Sequence, residues 1–114
     1  MALFPCPCCG WLVFHGPPGS YAICHICFWE DDLHGLEAPT EGGGANSGVS
    51  LVQAQANFAA IGASEPRLLL YVRQPGHDEV RDPAWRPFDP QHDLLAMPTR
   101  EGAAVYYWRK TPAD

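Results

Sequence analysis

All five cysteines of this chain fall within its first 27 residues, and four of them form two C-x2-C pairs, Cys6 with Cys9 and Cys24 with Cys27. Fourteen residues separate the pairs. Two thiolates spaced by two residues can point into one tight turn, whose amides offset the charge on sulfur. Gly10 directly after Cys9 suits the positive φ such turns often need. Two turns of this kind, joined by a hairpin, can close a tetrahedral tetrathiolate site with metal–sulfur distances of about 2.3 Å. The expected ligand set is therefore Cys6, Cys9, Cys24 and Cys27, holding one structural Zn2+. Iron is the alternative ion, because tetrathiolate turns also serve one-electron transfer. An odd number of cysteines behind an N-terminus with no basic region or small-residue cleavage site argues for reduced thiols and a cytoplasmic location.

Cys8 is the spare thiol. Between Cys6 and Cys9 it can pack behind the site, react, or replace Cys9 as ligand. The C-x-C spacing and misplaced glycine of that last arrangement favour Cys9, and neighbouring thiolates raise rather than lower the Cys8 pKa. His25, inside the second turn, is expected to be exposed.

A chain of 114 residues is bounded to one domain. Twelve Pro and eleven Gly exclude long regular elements, and charged residues at 18% fall below the roughly 25% usual in globular domains. Three parts follow: a cysteine-rich part at 1–35, a loop at 36–48, and a helical and C-terminal part at 49–114. In the first part, Trp11-Leu12-Val13-Phe14, the turn Gly16-Pro17-Pro18-Gly19-Ser20 and Tyr21-Ala22-Ile23 predict a β-hairpin. In the third, a Ser50 and Gln53 capping box precedes Leu51, Ala54, Phe58 and Ile61 at helical spacing, and Gly62 supplies the stop. Residues 64–74 suit a short helix opening near Pro66, with a buried strand as the other reading. Residues 75–98 read as irregular and anchored by Trp85 and Phe88. The aromatic run in residues 103–109 reads as a strand. The fold class is α+β: a small zinc-ribbon-like hairpin packed on one main helix, loop-rich, with a C-terminal strand.

Net charge is −6. Nucleic acid is therefore disfavoured as a partner, although many ribbons bind it, and a basic protein suits the sign better. No apolar run approaches the ~18 residues of a membrane span. Catalytic constellations are missing: His77-Asp78-Glu79 and His92-Asp93 stand without a serine elbow or H-E-x-x-H, and the glycines before Asn46 lack the lysine of a phosphate loop. The expectation is a non-enzyme. Glu30-Asp31-Asp32 reads as a solvated acidic turn. Most tryptophans are expected in the core, with Trp85-Arg86-Pro87-Phe88 the preferred exposed candidate for an interface.

These residues resemble the bacterial cysteine-rich CPCC family. The likeness rests on Pro5-Cys6-Pro7-Cys8-Cys9-Gly10, Gly19-Ser20-Tyr21, and Cys24-His25-Ile26-Cys27-Phe28-Trp29-Glu30-Asp31-Asp32. It continues through Gly44-Ala45-Asn46-Ser47-Gly48-Val49-Ser50-Leu51, Ala54-Gln55-Ala56-Asn57-Phe58, Gly62-Ala63 and Val72-Arg73 to Arg81-Asp82-Pro83 and Trp85-Arg86-Pro87. His25 stands where relatives usually carry proline. The resemblance implies one CPCC domain over 1–114, zinc-ribbon-like and without an established activity. The closed site, the net charge of −6 and the missing catalytic set point to a protein-interaction module; some members resemble passengers of toxin and immunity loci, so the resemblance adds a toxin as one partner. The alternatives are a nucleic-acid-binding ribbon and an iron or thiol redox protein.

Overall fold

A computed structural model describes residues 3–96 and 106–109 of the chain. It is an α+β arrangement in which a two-stranded antiparallel sheet, β1 (Phe4–Pro5) and β2 (Leu12–Phe14), precedes three short helices and one 3-10 helix. The hairpin is not the expected one. β2 pairs backward with β1, Phe4 opposite Phe14 and Pro5 opposite Leu12, so the hairpin encloses the first cysteine pair. Residues 21–23 pair instead around the second, through Ile23 opposite Glu30, Tyr21 N–H to Asp31 O and Asp31 N–H to Ala22 O, both 2.9 Å. Each cysteine turn closes its own ladder locally, and the shorter loop costs less entropy than pairing across the Pro-Pro segment.

Helix α1 (Leu33–Glu37) starts at Asp32, whose carboxylate accepts from Gly35 N–H at 3.0 Å and from Ala45 N–H at 2.7 Å. Asp31 receives the Ser20 hydroxyl at 2.6 Å, while its burial pushes the carboxyl pKa up. Both carboxylates are buried, so the expected solvated acidic turn is instead an internal tie. Asn46 is buried too, and its side chain pairs with both backbone groups of Glu30.

The predicted helix appears as α2 (Leu51–Ile61), with Ser50 Oγ accepting from Gln53 N–H at 3.0 Å and Gly62 ending it at φ +83°. The reciprocal half of the capping box is absent here, since Gln53 Nε2 donates to Asn57 at 2.9 Å. Its buried stripe is Leu51, Ala54 and Gln55, while Ile61 is exposed. Leu51 and Ala54 join one core with the cysteines, Phe14, Ile26, Trp29, Leu36, Tyr106 and Trp108. Gln55 acts as a buried connector: it donates to Pro7 O at 2.9 Å and to Tyr107 Oη at 2.7 Å, and accepts from Phe88 N–H at 2.9 Å.

Residues 66–71 are helical as expected, in the tighter 3-10 form (Pro66–Tyr71), so Leu68 is buried while Leu69, Leu70 and Tyr71 are exposed. Within the stretch read as irregular, Asp89 and Pro90 open α3 (Pro90–Ala96); Asp89 accepts from Gln91 N–H and Arg86 pairs with Asp93 at 2.7 Å. Of the expected C-terminal strand, residues 103–105 lie outside the described residues, and 106–109 form a turn closed by Arg109 N–H to Tyr106 O at 3.1 Å. The aromatics there work by packing, Tyr106 on Trp108 with ring centres 4.6 Å apart, rather than by a ladder. Trp85 is half-buried and Phe88 buried, so the expected exposed candidate is largely inward; only Arg86 and Pro87 of that run are exposed.

The cap and the connector differ in expected cost. Ser50→Ala should lower stability by about 1 kcal/mol. Gln55→Leu should cost about 3 kcal/mol, because it strands buried backbone and phenol groups. Urea denaturation followed by tryptophan fluorescence measures both.

Candidate metal centre

The two cysteine turns are built alike. In the first, Cys6 N–H donates to Trp11 O at 2.9 Å and Gly10 N–H to Cys6 O at 2.7 Å; in the second, Cys24 N–H donates to Trp29 O and Phe28 N–H to Cys24 O, both at 2.9 Å. The repeat extends beyond cysteine, Cys-x-x-Cys-x-Trp at 6–11 and again at 24–29. This turn needs a left-handed fifth residue, at φ +83° for Gly10 and +69° for Phe28. Glycine adopts it freely; for phenylalanine it costs roughly 1–2 kcal/mol. The Phe28 ring stacks on Tyr71, centres 5.3 Å apart, which offsets part of that cost. Gly10 is fixed a second way, because a β-carbon there would stand 2.7 Å from the Trp85 ring.

The turns bring Cys6, Cys9, Cys24 and Cys27 together, all fully buried, with their sulfurs within 4.8 Å of one another. Cys6 and Cys27 approach to 3.6 Å, Cys9 and Cys24 to 3.7 Å. A tetrahedron with metal–sulfur bonds of about 2.3 Å has edges of about 3.8 Å. The pocket has the size of one tetrathiolate ion. N–H groups of Ile26 and Cys27 point at Cys24 Sγ, at 3.3 and 3.5 Å, the donors a thiolate requires.

Electrostatics support the same use. Burial pushes the Cys6 and Cys27 thiols well above their ordinary range, while hydrogen bonds from Cys27, Cys6 and Cys9 pull Cys24 down. Several buried negative charges cannot coexist unpaired. A bound divalent ion would let all four ionise. Cys8 lies outside the tetrad; it is fully buried and burial raises its thiol pKa, so it packs behind the first turn and is not presented to solvent. His25 is exposed as expected, as are His77 and His92.

The family described as Cysteine-rich CPCC matches residues 4–79. The chain belongs to this family. The CPCC stretch itself is Cys6-Pro7-Cys8-Cys9, whose middle cysteine is the one the tetrad does not use. The CPCC match ends before Arg81-Asp82-Pro83 and Trp85-Arg86-Pro87. A search of curated proteins found no match to the chain.

That later stretch nevertheless supports the CPCC turn. Trp85 Nε1 donates to Pro7 O at 2.9 Å, Arg81 Nε to Cys9 O at 2.8 Å, and Asp82 N–H to Gly10 O at 2.8 Å. Sequence reasoning missed Gln55, Arg81 and Asp82 as supports, and nothing in local spacing marks them. Asp82 is itself anchored: burial would raise its carboxyl, but hydrogen bonds from Trp108, Ala84 N–H and Arg109 hold it below the usual carboxylate range.

Metal uptake by thiols that burial keeps protonated, as at Cys6 and Cys27, must release protons. Apparent affinity should therefore fall by at least about tenfold for each pH unit below the ordinary thiol pKa of about 8.5. Chelator competition at pH 8, 7 and 6 measures the slope, and a pH-independent affinity would contradict the ligand set.

Proposed function

We propose that the chain is a structural zinc protein of zinc-ribbon-like character, working in a reducing cytoplasm as a protein-interaction module. The observation that carries the metal reading is the buried tetrad, whose closest sulfurs lie 3.6 and 3.7 Å apart. Cys6, Cys9, Cys24 and Cys27 would hold the ion. Four protein ligands leave no open coordination position, so the metal supplies folding free energy and cross-linking rather than catalysis. Zinc is favoured over iron because closed tetrathiolate sites are its commonest structural form. All five thiols are free, which suits a compartment that keeps cysteines reduced.

The interaction reading draws on the surface. Leu70 is 91% exposed, Tyr71 60% and Leu69 46%, and Tyr71 stacks on the second cysteine turn through Phe28. Apolar side chains so displayed, on a chain of net charge −6, suit a protein partner of basic character. A toxin inhibited by this module is the partner class that the family resemblance suggests.

Native mass spectrometry with elemental analysis should find one zinc per chain, and Cys8→Ser should keep it. Serine at Cys6, Cys9, Cys24 or Cys27 should lose the metal and unfold the N-terminal part. A red, iron-loaded preparation would displace zinc, and a folded metal-free chain would remove the metal reading altogether. For the interface, Leu70→Asp should abolish recovery of a partner that cross-links to the wild-type chain in its host; equal recovery would count against this face.

A further inference from the structure

The two cysteine turns share a backbone pattern but are held differently. Three carbonyls of the first turn accept hydrogen bonds from distant residues: Pro7 O from both Trp85 Nε1 and Gln55 Nε2, Cys9 O from Arg81 Nε, and Gly10 O from Asp82 N–H. The adjoining strand is held by the same segment, Leu12 N–H donating to Val80 O at 2.9 Å. The Arg81 guanidinium lies 4.7 Å over the Trp85 ring, and that ring covers Gly10. None of these bonds uses a sulfur. The grip therefore uses no atom that a metal would claim.

The second turn is gripped more sparsely. Among the described residues its Cys27 O accepts from Ser64 N–H at 2.9 Å, the adjoining Glu30 pairs through both backbone groups with the Asn46 side chain at 2.8 and 3.0 Å, and Phe28 leans on Tyr71 from a left-handed backbone position. A turn whose backbone is unfavourable without its ligand is the half that relaxes when the metal goes.

We propose that residues 80–85 form a clasp that holds Cys6 and Cys9 in ligand position in the metal-free chain and slows metal departure, so that exchange proceeds by opening of the second turn. Arg81 and Trp85 are positioning residues in this scheme, acting on the metal through the carbonyls of Cys9 and Pro7. The inference rests on the metal reading above. Outer partners of metal ligands typically change affinity 10- to 100-fold when removed.

The test loads the full chain with Co2+ or Zn2+ and follows transfer to a chromogenic pyridylazo chelator. Trp85→Phe, which keeps a ring over Gly10 but loses the donor, and Arg81→Met should each speed transfer roughly tenfold. Ser50→Ala, which removes a helix cap but none of the donors to the turn's carbonyls, should transfer at the wild-type rate, separating the clasp from general destabilisation. Hydrogen exchange on the metal-free wild-type chain reads the same mechanism without any variant. The Gly10 and Leu12 amides should stay protected while the Phe28 amide loses protection. Unchanged transfer in both clasp variants, acceleration in Ser50→Ala equal to theirs, or joint loss of protection in the two turns would overturn the clasp. Absence of a thiolate-to-cobalt charge-transfer band would overturn the metal reading itself, an outcome distinct from a normal band with unaltered transfer.

Discussion

Four sulfur atoms drawn into one buried pocket are the constraint around which this chain is arranged. Thiols do not attract one another strongly, and thiolates repel, so nothing in the cluster alone explains why Cys6 and Cys27 stand 3.6 Å apart. A divalent ion would convert that repulsion into four bonds and give the surrounding core a fixed point to pack against. Phe14, Ile26, Trp29, Leu51 and Ala54 all belong to the cluster that contains the cysteines. With Pro and Gly so frequent, helices and strands here are too short to supply a core alone; the elements have two to eleven residues. Small domains commonly meet that shortage with a cross-link.

Polar ties do the work that regular secondary structure does elsewhere. Asp32 caps α1 and receives Ala45, Asn46 mimics a strand beside Glu30, and Gln55 joins the first turn to Phe88 and Tyr107. Each satisfies backbone groups that no helix or strand bond reaches. A buried loop is tolerable only on that condition, because an unpaired buried peptide group costs about 1–3 kcal/mol. The C-terminal aromatics add a second tie, with Trp108 and Arg109 both bonded to Asp82.

The parts legible in the sequence are those decided by spacing over a few residues. The sulfur tetrad follows from two C-x2-C pairs, α2 from Ser50 and a helical period, and the short helix after Pro66 from proline at its first position. The Asp89-Pro90 start of α3 was equally local and stood in view, as did the tryptophan repeated at Trp11 and Trp29. What spacing could not disclose is long-range satisfaction. Arg81 meets Cys9 across 72 positions and Trp85 meets Pro7 across 78, and neither type of residue announces a carbonyl acceptor. The hairpin failed for a related reason: β-propensity marks residues 11–14 as extended without saying which neighbour they pair with. Glu30-Asp31-Asp32 misled because charge predicts solvent, whereas Asp31 and Asp32 are held by Ser20, Gly35 and Ala45.

The charge of a bound ion would also account for the guanidinium seated on the first turn. A divalent ion with four thiolates would carry a residual charge of about −2, which would add to a chain already at −6. Burial makes that residue of charge costly unless dipoles and cations face it. In the second turn the N–H groups of Ile26 and Cys27 face Cys24 Sγ. In the first, a cation, Arg81, is seated on Cys9 O and over Trp85. The two turns thus arrive at the same sulfur geometry with different electrostatic means, local dipoles on one side and a distant arginine on the other. It follows that residues beyond the family-matched span 4–79 belong physically to the centre, even though none of them contributes a ligand.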